Sequence, residues 1–543
     1  MRLAALAILL SAFATQCGLA QGKEISKVDQ IFAGFSRPGS PGCSLGVIQD
    51  GRFVYRKAYG QASLELNVPL SPDSVFYVGS VSKQFTAASI VLAAEQGYLS
   101  LDDDVRKYIP ALPRYGHTIT LRQMLNQTSG FRDFFELLYL SGHAASDFNS
   151  PAEILKLIEK QKGLNNVPGA EWVYSNTNYF LLGIVLQRAT GKTLAEFARE
   201  NIFQPLVMTH TLFYDDPSVV VPGRVPAYDP RDKGGFRVDW STTYAVVGGG
   251  GVMTTLDDLL RWDDNFYANR LGKGTLLKQL ESPGVLNSGK RTTYGMGLVL
   301  GDYRALPIVE HNGALFGYRA DLLRFPEQKF TVITLCNVSN AQPELHARAV
   351  ADLFLKNDLH MDSIPPAAAD KLPDPAGFAG DYLDPRTHTI YSFTLNDRKL
   401  QAWGSRLRRK DADQYYDLFG DVITFTGSPS AMKTTLDMNG VTYFSGKRLR
   451  EIPLSSAVLR GFVGDYRSAE LGSDLHVGLE KGKLTVRIKS NPPTALVPVA
   501  AGEFVAPGSI VLVFHRDARG DSARLSLYTQ SARGISFCKH VAH

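Results

Sequence analysis

Ser80-Val81-Ser82-Lys83, running on into the helix-forming stretch Gln84 to Gln96 and stopping at Gly97, is the segment on which the reading of this chain turns. Residues three apart on a helix share a face, so Ser80 at the helix start has Lys83 one turn on, its amine within reach of the hydroxyl. A serine hydroxyl is a weak nucleophile until a neighbouring base takes its proton. The helix N-terminus adds positive potential where an oxyanion would develop. Taken alone, S-x-x-K is a weak pattern that equally describes a helix cap beside a solvated lysine.

Two further elements accompany it. Tyr174-Ser175-Asn176 follows Gly169-Ala170-Glu171-Trp172, and His311-Asn312-Gly313 lies on a strand-like run from Ile308. This order, S-x-x-K, then Y-x-N, then H-x-G on a late strand, resembles the penicillin-recognising serine hydrolases: class C β-lactamases, D,D-peptidases, D-aminopeptidases and related esterases. Leu99–Pro110, Met124–Gly130, Asn201–Thr209 and Gly248–Trp262 are similar to further segments of that family, so the likeness spans roughly Ser44 to Val338.

The resemblance implies an α+β catalytic domain of β-lactamase-like fold, an antiparallel sheet flanked by helices with an all-helical subdomain. It implies roles as well. Ser80 would attack the carbonyl, and Lys83 and Tyr174 would share the proton transfers, the sequence leaving open which is the base. Asn176 would bind the substrate amide, and the N–H groups of Ser80 and Ala314 would form the oxyanion hole beside Gly313. His311 stands where many members carry the lysine of K-T-G. A histidine is mostly neutral at pH 7, so the site is less committed to a free carboxylate. Arg319 is the candidate cation if a carboxylate is bound after all.

Within and just after this region, Ser44 to Tyr59 reads as a hairpin turning at Asp50-Gly51, Tyr318–Phe325 and Phe330–Cys336 as a second strand pair, and Pro343–Leu355 as a closing helix. A Pro/Ala-rich linker follows, and then short alternating strands. Gly377-Phe378-Ala379-Gly380-Asp381-Tyr382 recurs as Gly461-Phe462-Val463-Gly464-Asp465-Tyr466, and Lys399-Leu400 as Lys483-Leu484, both at an offset of 84 residues (377 to 461, 399 to 483). A shared offset at two separated points predicts two similar small antiparallel β-barrels in tandem. The expected organisation is a signal peptide (1–20), a catalytic domain (23–358), a linker (359–373), a lipocalin-like barrel (374–454) and a second barrel (455–543). This order resembles the D-aminopeptidase architecture, in which a loop of the last barrel reaches the active site. Ile488–Thr494 is the candidate loop, and Asn491 is its nearest approach to an acidic residue.

The chain has 543 residues, 44% hydrophobic and 20% charged, with a formal charge of +5, which is ordinary globular composition and gives no reason to expect nucleic acid. Arg2, an apolar run from Leu3 to Phe13, and Gly18-Leu19-Ala20 read as a cleavable leader, which predicts a periplasmic or secreted protein without stable membrane insertion. Gln16 before Cys17 disfavours a lipoprotein signal. Cys43, Cys336 and Cys538 do not suggest a disulfide framework, and the first two read as buried thiols on strands. The eleven histidines show no paired ligand spacing, and neither a metal nor another cofactor is expected. Gly248-Gly249-Gly250-Gly251 lacks the residues of a phosphate loop. Lys447–Arg450 reads as a solvated strand face, and Trp172 and Trp262 as packing residues.

The leading expectation is an exported serine hydrolase forming a Ser80 acyl-enzyme with a small peptide, amide or ester, D-amino-acid-containing peptides first among them. A D,D-carboxypeptidase or β-lactamase and a carboxylesterase are the alternatives within the class. A non-hydrolytic envelope protein that binds cell-wall peptides is the alternative outside it. A homo-oligomer is left open.

Overall fold

The computed structural model describes residues 26–143, 147, 150–239, 245–360, 372–489, 491–516 and 522–540. The leader with Cys17, most of the linker, and Ser490 of the candidate barrel loop lie outside the described residues. Six antiparallel strands build the catalytic sheet: β1 (Cys43–Gln49), β2 (Arg52–Tyr59), β3 (Val299–Tyr303), β4 (Leu306–Leu315), β5 (Tyr318–Phe325) and β6 (Phe330–Cys336). Their spatial order is β3-β4-β5-β6-β1-β2, so the first strand of the chain pairs with the last. β5 and β6 are buried at nearly every position, the pattern of strands covered on both faces.

That pairing corrects the reading of the cysteines. Cys43 and Cys336 face each other in register at the end of the β1–β6 ladder and form a disulfide across 293 residues of sequence. Of the described cysteines only Cys538 is free, and it is exposed.

Four helices matter for the site: α1 (Lys83–Glu95), α2 (Phe134–Leu140), α3 (Asn176–Thr190) and α4 (Pro343–Phe354). α1 is buried on every side from Lys83 to Ala93, as expected of a helix with apolar residues all round. Trp262 is fully buried and donates its indole N–H to Gln84 of this helix at 2.9 Å, which makes it a packing residue. α2 is capped by Asp133, whose side chain accepts from the Phe135 N–H. α3 ends at Gly191, whose φ of 77° closes the helix in the left-handed region. α4 starts with Pro343 in the first turn and covers β5 and β6.

Two nine-stranded antiparallel sheets follow, one from Gly380 to Arg448 and one from Gly464 to His540. In each, the first strand pairs with the last, and one seam remains between two strands adjacent in sequence. Each is therefore a nearly closed barrel, an arrangement that leaves little exposed sheet edge. A leucine turns the chain at each seam: Leu407 and Leu496 are buried and donate their N–H to the carbonyls of Leu400 and Leu484.

The repeated G-F-x-G-D-Y segment does the same work twice. Tyr382 Oη donates to the Phe378 carbonyl at 2.9 Å, and Tyr466 Oη to the Phe462 carbonyl at 2.8 Å. A cation from the final strand, Arg448 or Lys539, lies over each tyrosine ring. A Cβ on Gly464 would stand 2.5 Å from Lys539 Cε, so glycine makes room for that cation.

Candidate active site

Ser80 sits in a short 3-10 turn (Gly79–Ser82) that leads directly into α1, half-buried at the mouth of a cavity. Gly79 permits this turn to press on β4. Its φ is 52°, and a Cβ there would stand 2.6 Å from the Ala314 nitrogen. A Cβ on Gly313 would stand 2.0 Å from the Val78 carbonyl oxygen and 2.9 Å from the Ser80 nitrogen. The backbones of the serine turn and of β4 are thus in direct contact, with Ser80 and Ala314 on the wall of one cavity.

Lys83 projects from the first turn of α1 and is wholly buried. Its Nζ lies 3.0 Å from Ser80 Oγ, 2.8 Å from Asn176 Oδ1 and 2.6 Å from the Gly249 carbonyl oxygen. The four-glycine segment therefore delivers a carbonyl to the lysine. Burial without a directly contacting carboxylate lowers the Lys83 pKa to about 7, and the charge of nearby Asp133 opposes the shift. A neutral amine has two N–H groups and one lone pair. Two of its three neighbours can only accept, so the lone pair is left facing the Ser80 hydroxyl.

The orientation of Asn176 is fixed by Asp133. The Asp133 carboxylate accepts from Asn176 Nδ2 at 2.9 Å and from the Asn176 backbone N–H at 2.5 Å, which turns Oδ1 toward the lysine. Burial raises the Asp133 pKa, against those hydrogen bonds and the attraction of Lys83. Tyr174 completes the group. Its ring lies with its centroid 4.8 Å from Lys83 Nζ, and its phenol hydrogen-bonds with Ser80. Burial pushes that phenol well above its ordinary value.

His311 sits behind these residues as a neutral imidazole. Nδ1 is 2.6 Å from the Asn312 carbonyl oxygen, which can only accept, so Nδ1 carries the proton and Nε2 accepts from Tyr294 Oη at 3.0 Å. Burial and the neighbouring Lys83 lower its pKa to about 3. Glu310 points away from it and pairs with Arg348 at 2.7 Å. Arg319 is held by the carbonyls of Phe316 and Tyr318 at 2.8 and 2.7 Å.

Two cavities flank the serine. One, of about 210 Å³, holds Ser80 and Asn176 among Phe134, Phe135, Val246 and Leu315, and no charged side chain lines it among the described residues. The other, of about 300 Å³, lies on the Tyr174 side with walls of Trp172, Tyr391, Trp403 and Tyr443, plus Asp417 and Asp421 of the first barrel. Trp172 is therefore a cavity wall as well as a packing residue.

The second barrel reaches the site by a different loop from the one anticipated. Lys489 of Ile488–Thr494 packs its stem on Gly142 beyond α2. The segment 529–534 instead reaches the surroundings of Asn176 and Tyr174: the Ser531 carbonyl accepts from the Asp133 N–H, Thr529 hydrogen-bonds Glu136, and Arg533 lines the Tyr174 cavity while paired with Glu171 at 3.0 Å. Asp133, Glu136 and Tyr294 escaped the sequence reading, because no spacing links them to the three motifs. Among the described residues no group of three or more His, Cys, Asp or Glu side chains is placed to hold a metal ion.

The Beta-lactamase family model matches residues 28–355. The chain belongs to the Beta-lactamase family. It is a serine hydrolase of that family. It is 26% identical to a D-aminopeptidase of Brucella ovis over 524 residues, covering 92% of this chain and 95% of that one. Its fold is similar to that of the octameric penicillin-binding protein homologue from Pyrococcus abyssi, with a TM-score of 0.56 and 20% identity over 86% of this chain and 98% of that one. A D-stereospecific amidohydrolase from Streptomyces sp. matches with a TM-score of 0.52 and 22% identity, over 61% and 98% respectively.

Proposed function

We propose that this protein is an exported hydrolase that cleaves small amides, D-amino-acid-containing peptides above all, through an acyl-enzyme on Ser80. The observation that carries the proposal is the buried Lys83 amine, 3.0 Å from Ser80 Oγ with its other two contacts both acceptors. Lys83 takes the hydroxyl proton as Oγ bonds to the substrate carbonyl carbon. The N–H groups of Ser80 and Ala314 receive the oxyanion. Tyr174, protonated in the resting enzyme, hands its proton to the departing amine and recovers one from the Lys83 ammonium. Water then cleaves the ester by the reverse relay.

Because Tyr174 serves the leaving group, its aromatic cavity is the leaving-group side, and the apolar cavity beside Asn176 takes the acyl side chain. The Brucella D-aminopeptidase, matched over nearly its whole length, supports the D-amino-acid reading. A neutral His311 and an Arg319 held by its own turn weigh against a site built around a free carboxylate, as a D,D-carboxypeptidase or β-lactamase needs. Glu136, half-buried beside Asp133 and Thr529, is the acid we assign to a substrate ammonium. The Cys43–Cys336 disulfide supports export, since such bonds persist in oxidising compartments.

The test compares the mature protein with Ser80→Ala on p-nitroanilides of D-alanine, L-alanine and N-acetyl-D-alanine, a p-nitrophenyl ester and nitrocefin. Release from D-alanine anilide that vanishes in Ser80→Ala is the expected result. Ser80-dependent turnover of the ester or nitrocefin alone would keep the nucleophile and overturn the specificity.

A further inference from the structure

Four aromatic rings lead away from Tyr174 in unbroken contact. Centroid to centroid, Trp172 lies 6.5 Å from Tyr174, Tyr443 6.4 Å from Trp172, Tyr391 6.3 Å from Tyr443, and Trp403 5.2 Å from Tyr391. These rings cross from the catalytic domain to the first barrel and wall the cavity of about 300 Å³ on the Tyr174 side.

Beside Tyr443 stand two buried acids, Asp417 and Asp421, at the two ends of one barrel turn. The Asp417 N–H donates to the Asp421 carbonyl at 3.1 Å, and Asp417 Oδ1 accepts from the N–H groups of Phe419 and Asp421 at 2.8 and 2.9 Å. The turn is seated on the catalytic domain. A Cβ on Gly301 of β3 would stand 2.6 Å from the Phe419 carbonyl oxygen, and Arg348 donates to the Leu418 carbonyl at 2.7 Å. Asp417 stands where this cavity meets two others, whereas Asp421 lines this one. Asp421 is only 6% exposed, yet the Tyr443 phenol is the one donor to its carboxylate among the described residues. A carboxylate has about four acceptor sites, so Asp421 has capacity to spare.

No protein cation supplies the missing partner. Arg533, the only basic side chain on this wall among the described residues, is paired with Glu171, which Arg386 shares. Arg348 attracts Asp417 but is bound to Glu310 at 2.7 Å. Asp437 adds negative potential at Asp421. Burial raises the pKa of both acids, and the Asp417 charge raises that of Asp421 further. A cation brought beside them offsets that repulsion.

We propose that this cavity takes a leaving group carrying its own ammonium, such as the side chain of a lysine-like diamino acid, held by Asp421 and Asp417 with its methylenes against the rings. The inference rests on the assignment of Tyr174 to the leaving-group side. Aromatic walls suit an alkylammonium in two ways, by covering its apolar stem and by attracting its charge. The volume lies at the lower end of small-molecule pockets, roughly 300–1,000 Å³, and suits a single residue. The enzyme therefore ranks peptides by the residue that follows the scissile bond.

The test has a binding arm and a turnover arm. L-Lysine amide and L-norleucine amide differ only in the side-chain amine. Calorimetric titration of full-length Ser80→Ala is expected to show lysine amide binding about tenfold or more tightly, as one charge-assisted hydrogen bond supplies. Adding Asp417→Asn/Asp421→Asn is expected to erase the preference, since asparagine keeps the acceptors and loses the charge. Adding Asp437→Asn instead, off the cavity wall, is expected to keep it. In the parent, kcat/KM for D-alanyl-L-lysine amide is expected to exceed that for D-alanyl-L-norleucine amide by a similar factor. Lysine amide binding no tighter than norleucine amide in Ser80→Ala, or a preference that survives Asp417→Asn/Asp421→Asn, would overturn the proposal. The first of these comparisons needs no change to the barrel, so it decides even if the acid variants fail to fold. Turnover of D-alanine p-nitroanilide without a lysine preference would overturn this proposal alone and leave the Ser80 reading intact. A lysine preference in binding with no D-alanyl turnover would keep the site and overturn the acyl-side reading.

Discussion

The backbone N–H of Asp133 donates to the Ser531 carbonyl at 2.8 Å, while the Asp133 carboxylate holds both nitrogens of Asn176. One residue thus ties the second barrel to the contact partner of Lys83. Its neighbour Arg132 strengthens the joint, pairing with buried Glu470 at 2.6 Å and donating to the carbonyls of Arg533 and Gly534.

Glu470→Gln leaves the Arg132 charge buried and unpaired, which costs about 3 kcal/mol or more. The expected outcome is a lower denaturation midpoint together with a raised KM, as the 529–534 segment loosens against the site. An unchanged KM in a folded variant would show that the barrel does not shape substrate binding.

Asp133→Asn removes the charge that raises the Lys83 pKa. The lysine pKa therefore falls, and the acidic limb of the kcat/KM profile, expected near pH 7 in the parent, moves to lower pH. A drop in rate with no movement of that limb would separate Asp133 from the lysine.

Lys83→Met should abolish the proton relay, a loss of about 10²-fold to 10⁴-fold or greater in kcat. Stability should move the other way. The folded lysine pKa of about 7 lies below its ordinary 10.5, so the unfolded chain binds the proton first as pH falls. The folded parent is penalised increasingly from pH 10.5 down to about 7 and fully below that. The variant escapes the penalty, so its gain in stability, of order 1 kcal/mol at neutral pH, should shrink toward pH 10. Urea titrations at pH 7 and pH 10 would show it.

Removing the disulfide with Cys43→Ala and Cys336→Ala should cost about 2–4 kcal/mol, since a long loop is freed in the unfolded chain. A midpoint equal to that of the parent under oxidising conditions would show that the bond does not form.

Ser80, Lys83, Tyr174, Asn176 and His311 were legible because each belongs to a short motif with a chemical reason for its spacing. Asp133 was not: it reads as an ordinary helix cap, and its second role exists only once α2 and α3 meet. The disulfide was missed for a similar reason. Both cysteines lie on strands visible in the sequence, but their pairing depends on sheet order, which places the first strand beside the last. The barrels were legible through their repeat, whereas the loop that reaches the site was not, because the choice between 488–494 and 529–534 rests on how the barrel is rotated.

The clasp between Cys43 and Cys336 also decides how the molecule carries mechanical load. Tension drawn along the backbone from residue 26 toward the barrels crosses from the sulfur of one cysteine to that of the other and bypasses everything between them. Ser80, Lys83, Tyr174, Asn176 and His311 all lie inside that covalent ring. An unfolding machine threading the chain from either end therefore pulls against the outermost ladder pair, and these five residues feel no direct force until the sulfur bridge has been reduced.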